Sequence, residues 1–369
     1  MQLIDLFIKL LSYESITPDD AGSLEFIHSY LDDFEVIWKN EEDVKNLFLY
    51  KRFNEGPHLC FAGHVDVVPA GDGWDTNPFV PVLDNGTIIA RGTQDMKSGV
   101  AAFVQALKKS EEFEGTLSVL LTSDEEGDAI YGTKIMLEHL RSIDFLPDAC
   151  IVAEPTCEDD FGDAIKIGRR GSINGVIKQY GKQGHAAYPE KAINPIHDIA
   201  TILPNVAGVN LDNGDDYFSP SKLVITDIRA GMEVTNVSPG LLKMMFNIRN
   251  STKTTVEDVE SFIEEHFKSC NYELDINQSS KSFLTNPDTT IVKTLDSAIQ
   301  KVCSRVPKHS TAGGTSDARF FAEFGVDIVE FGVINDTIHA PNERTTVDEV
   351  QKLYEVFVET IKTYNNYKD

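Results

Sequence analysis

The sequence predicts an α/β protein, built from a mostly parallel-sheet domain and an inserted ferredoxin-like domain of order β-α-β-β-α-β. Continuously apolar runs alternate with amphipathic helical patterns over the first 170 residues, which is typical of buried parallel strands. Shorter and more polar segments follow, and the α/β pattern then returns. We therefore expect a discontinuous domain, 1–170 plus 284–369, with 171–283 inserted as a separate domain.

The charge of the chain excludes several classes of partner. It has 369 residues, with 33 Lys and Arg against 59 Asp and Glu, so the formal net charge is −26. Nucleic acid and anionic membrane would both repel such a protein. No segment reaches the roughly 18–20 apolar residues that a membrane-spanning helix needs. We expect no nucleic-acid partner and no membrane association.

The N-terminus and the cysteines indicate a cytoplasmic protein. Leu3, Leu6, Phe7 and Leu10 recur at helical spacing, and Asp5 lies among them. This pattern predicts an amphipathic helix rather than a signal peptide. The five cysteines form no C-x-x-C pair, which fits a reducing compartment and argues against a thiolate zinc site.

The central strands of the first domain are predicted by three continuously apolar runs, at 58–64, 116–122 and 149–153. A helical pattern begins after Asp95. Each run leads into a histidine or an acidic residue, namely His64, Glu125-Glu126 and Glu154. Ligands bind beyond the carboxyl ends of the strands in open α/β sheets, so each strand delivers such a side chain to the expected site.

The inserted domain is predicted from alternating strand and helix patterns. We expect strands at 172–180, 223–228, 241–248 and 272–277 and helices at 195–206 and 256–267. Thr254 and Glu257 have the spacing of a capping box before the second helix.

The α/β pattern resumes in the last part of the chain, with helices at 290–302 and 319–324 and a strand at 328–331. A loop with His339 follows. Thr346 and Glu349 then predict the capped start of a final helix.

The candidate metal ligands are two imidazoles and three carboxylates at strand ends or in adjoining loops: His64, Asp95, Glu126, Glu154 and His339. Zinc binds both ligand types, and a catalytic zinc keeps one position open for water. Five protein ligands are too many for one such ion. They suit two metals if one carboxylate bridges them.

Each candidate also has an ordinary structural explanation. Taken alone, His64 is as readily a core histidine as a ligand. Asp95 precedes a helix and can be only its N-cap. Glu125 and Glu126 can form a solvated turn, although adjacent like charges modestly favour a cation site. His339 means little by itself.

Four short motifs change this balance because they occur together and in order: His64-Val-Asp66, Gly92-Thr-Gln-Asp95-Met-Lys-Ser-Gly99, Asp124-Glu-Glu-Gly127 and Glu154-Pro155. They resemble those of the dinuclear zinc amidohydrolases, which include aminoacylases, acetylornithine deacetylase and glutamate carboxypeptidases. The resemblance covers essentially the whole chain. It implies that the insert is a lid and dimerisation domain, and hence that the protein is a homodimer.

The resemblance also implies two Zn²⁺ ions per subunit, with Co²⁺ or Mn²⁺ as substitutes. Asp95 would bridge the two ions. His64 and Glu154 would complete one site, and Glu126 and His339 the other.

Three further catalytic roles follow from the same resemblance. Asp66 would orient His64, and Glu125 would be the general base. His185 in the inserted domain would donate a hydrogen bond to the oxyanion. The alternative is that His185 is an ordinary turn residue.

The substrate is suggested by Gly168-Arg-Arg-Gly-Ser172, Gly184-His-Ala-Ala-Tyr-Pro189 and Gly313-Gly-Thr-Ser-Asp-Ala-Arg-Phe320. These segments resemble family members that release succinate from N-succinyl-LL-2,6-diaminopimelate. The implied substrate contacts are Arg169, Tyr188, Asn236, Arg249, Gly314 and Thr315. The alternatives are a deacylase of another N-acyl amino acid, such as acetylornithine, and a non-enzymatic binding or scaffold protein.

Two positions depart from the family pattern. Thr235 stands before Asn236, where the family has a second asparagine. Gln94 precedes Asp95, where small residues are more usual, and we expect no consequence of this for the metals.

Overall fold

The computed structural model describes residues 1–367, which form two compact units. The larger unit comprises Met1–Gly168, Thr285–Ser310 and the chain from Ser316 onward. The inserted unit comprises Arg169–Leu284 and the short loop Thr311–Thr315.

The α-helices within the described residues are α1 (Leu3–Leu11), α2 (Ser23–Tyr30), α3 (Lys97–Lys109), α4 (Thr133–Ser142), α5 (Pro195–Val206), α6 (Val256–Phe267), α7 (Thr290–Cys303), α8 (Ala318–Glu323) and α9 (Val347–Thr363). Short 3₁₀ turns lie at Pro189–Lys191 and Tyr364–Tyr367. None of the helices in residues 1–367 combines the length and apolarity needed to cross a membrane.

The strands are β1 (Glu35–Trp38), β2 (Asn46–Arg52), β3 (His58–His64), β4 (Val82–Asp84), β5 (Thr87–Ile89), β6 (Thr116–Thr122), β7 (Ala149–Val152), β8 (Ala164–Lys166), β9 (Gly168–Arg169), β10 (Ser172–Tyr180), β11 (Gly184–His185), β12 (Lys222–Ala230), β13 (Val237–Ser238), β14 (Leu241–Arg249), β15 (Asn271–Ser280), β16 (Phe283–Leu284), β17 (Lys308–Ser310), β18 (Asp327–Glu330) and β19 (Arg344–Thr346).

The main sheet of the larger unit has the strand order β1-β2-β6-β3-β7-β18-β8-β17. The central strands β6, β3, β7 and β18 run parallel to one another. At one edge, β2 is antiparallel to β6, and β1 is antiparallel to β2. Every residue of β3, β6 and β7 is buried, which explains why these strands are apolar along their whole length. The predicted α/β class with a mostly parallel sheet is confirmed.

Helix α3 packs unusually close to the end of β7. A Cβ atom at Gly99, in the first turn of this helix, would lie 2.4 Å from the carbonyl oxygen of Ala153. Only glycine permits this approach. The close packing brings the start of α3, and Asp95 just before it, next to the chain that leads into Glu154.

The inserted unit has an antiparallel sheet of order β12-β14-β10-β15, on which α5 and α6 pack through a shared apolar core. Alternate residues of β10 and β14 are buried, as expected for a sheet with one covered face. The predicted β-α-β-β-α-β order is present. Two short strands that pair with each other, β11 and β13, are added to it.

The capping box of α6 lies one residue later than the sequence spacing predicted. Thr255 is the N-cap, and its side chain exchanges hydrogen bonds with Asp258. The predicted cap, Thr254, instead donates its hydroxyl to Asp212 at 2.6 Å. The final helix begins as predicted, with Thr346 accepting the backbone N–H of Glu349.

Candidate metal centre

The predicted metal ligands lie at a strand end or in loops at the carboxyl edge of the larger unit's sheet. His64 ends β3, while Glu126 follows β6 and Glu154 follows β7, and these strands are parallel neighbours. Asp95 lies just before α3, and its peptide bond to Met96 is cis. Adjacent parallel strands end at one edge, so side chains that are distant in sequence converge here.

The two carboxylate oxygens of Asp95 face two different histidines. Oδ1 lies 3.0 Å from His64 Nε2, and Oδ2 lies 3.3 Å from His339 Nε2. Glu126 Oε1 is 2.9 Å from His339 Nε2, and Glu154 Oε1 is 3.9 Å from His64 Nε2. The structure therefore brings all five predicted ligands together around Asp95.

Atoms of the ligand type group closely enough to hold ions. His64, Asp95 and Glu126 offer atoms that all lie within 4.8 Å of one another, as do His64, Glu125 and Glu154. Glu125 Oε2 is 3.9 Å from His64 Nε2. The predicted general base thus lies among the candidate ligands.

Burial and the two histidines shift the pKa values of this cluster in opposite directions. Burial raises the pKa of Glu154 well above its usual range, and the charges of Asp95 and Glu125 raise it further. Burial also raises the pKa of Glu125. For Asp95 burial acts in the same direction, but hydrogen bonds from His339 and His64 outweigh it and lower the pKa.

The cluster has the chemistry of a site for divalent cations. Within residues 1–367, the side chains of Asp95, Glu125, Glu126 and Glu154 form no ion pair with Lys or Arg, and only imidazoles face them as cationic partners. Close carboxylates repel one another when ionised, and a cation between them removes that repulsion. Imidazole nitrogen and carboxylate oxygen also suit zinc, cobalt and manganese. The residues therefore fit a metal centre.

Asp66 contacts the cluster through its backbone and its side chain. His64 Nδ1 donates to the Asp66 carbonyl oxygen at 2.9 Å and lies 3.6 Å from Asp66 Oδ1, so that Nε2 faces Asp95. The Asp66 carboxylate accepts the backbone N–H of Glu126 at 3.1 Å. Asp66 therefore positions both a histidine and the turn after β6.

Three predicted site residues lie together in the inserted unit. His185 Nδ1 accepts the backbone N–H of Ala187 at 3.0 Å, which assigns the proton of a neutral ring to Nε2 and makes that nitrogen a donor. The ring of Tyr188 lies 5.9 Å from that of His185. The carbonyl of Asn236 accepts the N–H of Ala186 at 2.9 Å.

Arg169, Gly314 and Thr315 form a second group of predicted site residues in the inserted unit. Arg169 is buried, and its Nη1 donates to the carbonyl oxygen of Gly314 at 3.0 Å, while the adjacent Thr315 is exposed. Arg249 is exposed at the end of β14. Every predicted substrate contact belongs to the inserted unit, whereas every predicted metal ligand belongs to the larger unit.

Sequence reasoning missed a set of residues that support the ligand loops. Glu343 is fully buried, and its Oε1 accepts the backbone N–H groups of Gln94 at 2.7 Å and Asp95 at 3.2 Å. Arg91 Nη1 pairs with Glu343 Oε2 at 2.8 Å. These partners are 248 to 252 positions apart in the chain, so no local pattern marks Glu343. The one hint is a carboxylate four residues after His339.

Comparison with known proteins finds relatives over the whole chain. The model of peptidase family M20/M25/M40 matches residues 60–363. The chain is 70% identical over 364 residues to succinyl-diaminopimelate desuccinylase of Sulfurovum sp. (strain NBC37-1), covering 99% of both chains. It is 64% identical over 365 residues to the protein of the same name from Nautilia profundicola, covering 99% of this chain and 100% of the other. The relationship predicted from the motifs is confirmed.

A solved structure supports the same fold. Aminopeptidase PepT from Bacillus cereus ATCC 10987 matches with a TM-score of 0.81 over 98% of both chains, at 20% sequence identity. A likeness at this level of identity concerns the fold alone.

Proposed function

The chain belongs to peptidase family M20/M25/M40, and we propose that it hydrolyses N-succinyl-LL-2,6-diaminopimelate to LL-2,6-diaminopimelate and succinate. It is a metal-dependent hydrolase. The observation that carries the substrate assignment is 70% identity across 99% of a relative named for this reaction. The reaction belongs to lysine and diaminopimelate biosynthesis, a role for which we propose a cytoplasmic location.

We propose that the natural occupants of the cluster are two zinc ions, with Co²⁺ or Mn²⁺ as substitutes. His64 and Glu154 would hold one ion, Glu126 and His339 the other, and Asp95 both. This assignment is supported by the two oxygens of Asp95, each of which faces a different histidine. Bound divalent ions supply a lowered pKa for the attacking water and polarisation of the amide carbonyl.

Glu125 is the proposed general base. Its side chain is 15% exposed and lies beside His64, within the cluster where the water must attack. As the water oxygen bonds to the succinyl carbonyl carbon, the Glu125 carboxylate accepts the water's proton. As the C–N bond breaks, Glu125 passes that proton to the departing nitrogen, giving succinate and a free amine.

Substrate recognition is assigned to the inserted unit. The substrate carries three carboxylates, and guanidinium groups pair with carboxylates through two parallel hydrogen bonds. Arg169 and Arg249 therefore suit its acidic ends. The exposed polar groups of Tyr188, Asn236 and Thr315, together with the backbone of Gly314, complete the proposed contacts.

His185 is the proposed donor to the developing oxyanion. Its Nε2–H is available because Nδ1 already accepts a backbone hydrogen bond. An oxyanion donor must come within about 3 Å of the developing charge. We propose that the protein is a homodimer formed through the inserted units and that His185 acts in the partner's active site. Sedimentation measures the oligomeric state.

The direct test is hydrolysis by the metal-loaded protein, with N-succinyl-LL-diaminopimelate and acetylornithine assayed side by side. We expect release of succinate and little release of acetate. Faster hydrolysis of acetylornithine would contradict the proposed substrate and would favour the alternative, a deacylase of another N-acyl amino acid. No hydrolysis of either substrate by a protein that has bound metal would favour a binding or scaffold role.

Replacing Glu125 with glutamine should abolish most turnover and leave metal content unchanged. The amide keeps the shape of the side chain but cannot accept a proton, and general base catalysis contributes about 10²–10⁴-fold. The matched control is Asp128→Asn, an exposed acidic residue in the same turn. Turnover of Glu125→Gln within a few-fold of wild type would identify another group as the base.

A further inference from the structure

The side chain of Gln94 links the two loops that carry Asp95 and His339. Gln94 is 1% exposed. Its Nε2 donates to Asp336 Oδ1 at 2.6 Å, and its Oε1 accepts the backbone N–H of Thr337 at 2.9 Å. Both hydrogen-bonding ends of the amide are therefore committed to the chain just before His339.

A second connection closes the same pair of loops from the other side. The Glu343 carboxylate accepts the backbone N–H groups of Gly92 at 3.0 Å, Gln94 at 2.7 Å and Asp95 at 3.2 Å. His339 thus lies on a segment fixed two and three residues before it by Gln94 and four residues after it by Glu343. Both anchors tie this segment to the loop of Asp95.

His339 depends on such anchors more than the other candidate ligands do. Its side chain is 47% exposed, against 1% for His64 and 10% for Asp95. Side-chain packing therefore restrains this ring less than it restrains the other two side chains. Its backbone φ of +57° lies in the left-handed region, which a histidine adopts only when the surrounding chain fixes it there.

We infer that Gln94 is a positioning residue for His339, and that it sets the affinity of the metal held by His339 and Glu126. This inference rests on the proposed metal centre. A glutamine is needed because one side chain must present a donor to Asp336 and an acceptor to the N–H of Thr337. The small residues usual before the bridging aspartate offer neither group.

The perturbation that isolates these hydrogen bonds is Gln94→Met, which keeps the length and volume of the side chain and removes the amide. Loss of a group that orients a metal ligand typically weakens metal binding by about 10–100-fold. We expect a loss of this size in one of two binding steps. The other step, which uses His64 and Glu154, should be unchanged.

The matched control is Gln105→Met. Gln105 is also buried in the larger unit, and its Oε1 accepts a hydrogen bond from the Tyr30 hydroxyl, away from the ligand loops. This variant undergoes the same chemical change and should bind both metals like wild type. Asp336→Ala removes the carboxylate that accepts the hydrogen bond from Gln94 Nε2. This variant is measured if Gln94→Met does not fold.

The experiment titrates metal-free wild type and variants with Co²⁺ by calorimetry and visible absorption, after circular dichroism shows that each is folded. His339→Ala identifies the binding step that depends on His339. Gln94→Met should weaken that same step, and should add nothing further when it is combined with His339→Ala. Such non-additivity is the signature of one residue that acts through another.

Three results would overturn the inference: unchanged Co²⁺ affinity in Gln94→Met, equal weakening of both steps, or full additivity with His339→Ala. Wild type that binds fewer than two ions would remove the proposed dinuclear centre as well. Wild type that binds two ions yet does not cleave the succinylated substrate would contradict the proposed function and leave the role of Gln94 standing.

Discussion

Replacing His58 with glutamine should remove a pH dependence of stability that comes from burial of the imidazole ring. His58 begins β3 and is 7% exposed. Its Nε2 lies 2.7 Å from the hydroxyl of Ser118, and its ring centroid lies 4.9 Å from that of Phe145. A charged imidazolium in this place would lose hydration without gaining an ion pair. Burial accordingly lowers the pKa of His58 to about 4, against a smaller opposing effect of the Asp148 carboxylate.

The sign and size of the effect follow from the two protonation states. The unfolded ring takes up a proton near pH 6.5 and the folded ring only near pH 4. Between these values the unfolded state binds more protons, so stability falls as the pH falls. The stability that comes from keeping the buried His58 ring neutral is fully present above pH 6.5 and is lost as the pH falls to about 4. Over this window of 6.5 − 4 = 2.5, at about 1.4 kcal/mol per pH unit, the loss reaches about 3 kcal/mol.

The assay is urea unfolding of wild type and His58→Gln between about pH 7 and about pH 4, with chelator present so that metal binding does not contribute. Other titrating groups cancel in the comparison. Near pH 7 the variant should be the less stable protein, because glutamine fills the ring's place poorly. The stability gap should then close by up to about 3 kcal/mol as the pH falls.

A second histidine provides a control of opposite sign. The hydrogen bond to Asp296 raises the pKa of His309, so its stabilising contribution is present at low pH and disappears as the pH rises through the raised pKa. For His309→Gln the gap to wild type should widen on acidification. A gap for His58→Gln that stays constant with pH, while His309→Gln behaves as stated, would refute the reasoning about the buried ring.

Three further predictions concern the inserted unit. His185→Ala should lower kcat by about 10²–10³ while metal analysis finds full occupancy, and a loss of metal would contradict its role as an oxyanion donor. Arg249→Ala should raise KM by roughly 10–100-fold, because a hydrogen bond to a charged group contributes about 1.5–3 kcal/mol. An unchanged KM would show that Arg249 does not contact the substrate. Asp212 accepts hydrogen bonds from the hydroxyl groups of Ser221, Ser251 and Thr254. Asp212→Ala should therefore lower the free energy of unfolding, measured in urea, by about 2–4 kcal/mol. A decrease below about 1 kcal/mol would mean that water replaces the carboxylate.

The elements that sequence analysis predicted well are those whose patterns are local. The central strands β3, β6 and β7 are buried on both faces, so physical chemistry requires continuous apolar runs, and such runs are visible without a structure. Three of the candidate ligands could be predicted for a related reason. Parallel strands place their carboxyl ends at one edge, so a His or Glu at each end must converge.

The parts that could not be predicted depend on contacts between distant segments. Gln94 departs from the family pattern, but its sequence does not show what it contacts, and no local pattern marks Glu343. Only the fold brings the 91–95 loop against the chain around His339. The capping register of α6 failed for a similar reason. Thr254 and Thr255 offer the same hydroxyl to the helix, and the choice between them is made by Asp212, which binds Thr254 from 42 residues away.

The distribution of charge leads us to expect that the inserted unit determines substrate choice. With two divalent ions bound, the four clustered carboxylates and the metals sum to 4 × (−1) + 2 × (+2) = 0, so the centre is neutralised but not made positive. We therefore expect the attraction for a tricarboxylate to come from the proposed substrate contacts Arg169 and Arg249, both in the inserted unit. On this proposal, substitutions in the inserted unit can change the substrate without replacing a candidate metal ligand, because those ligands belong to the larger unit.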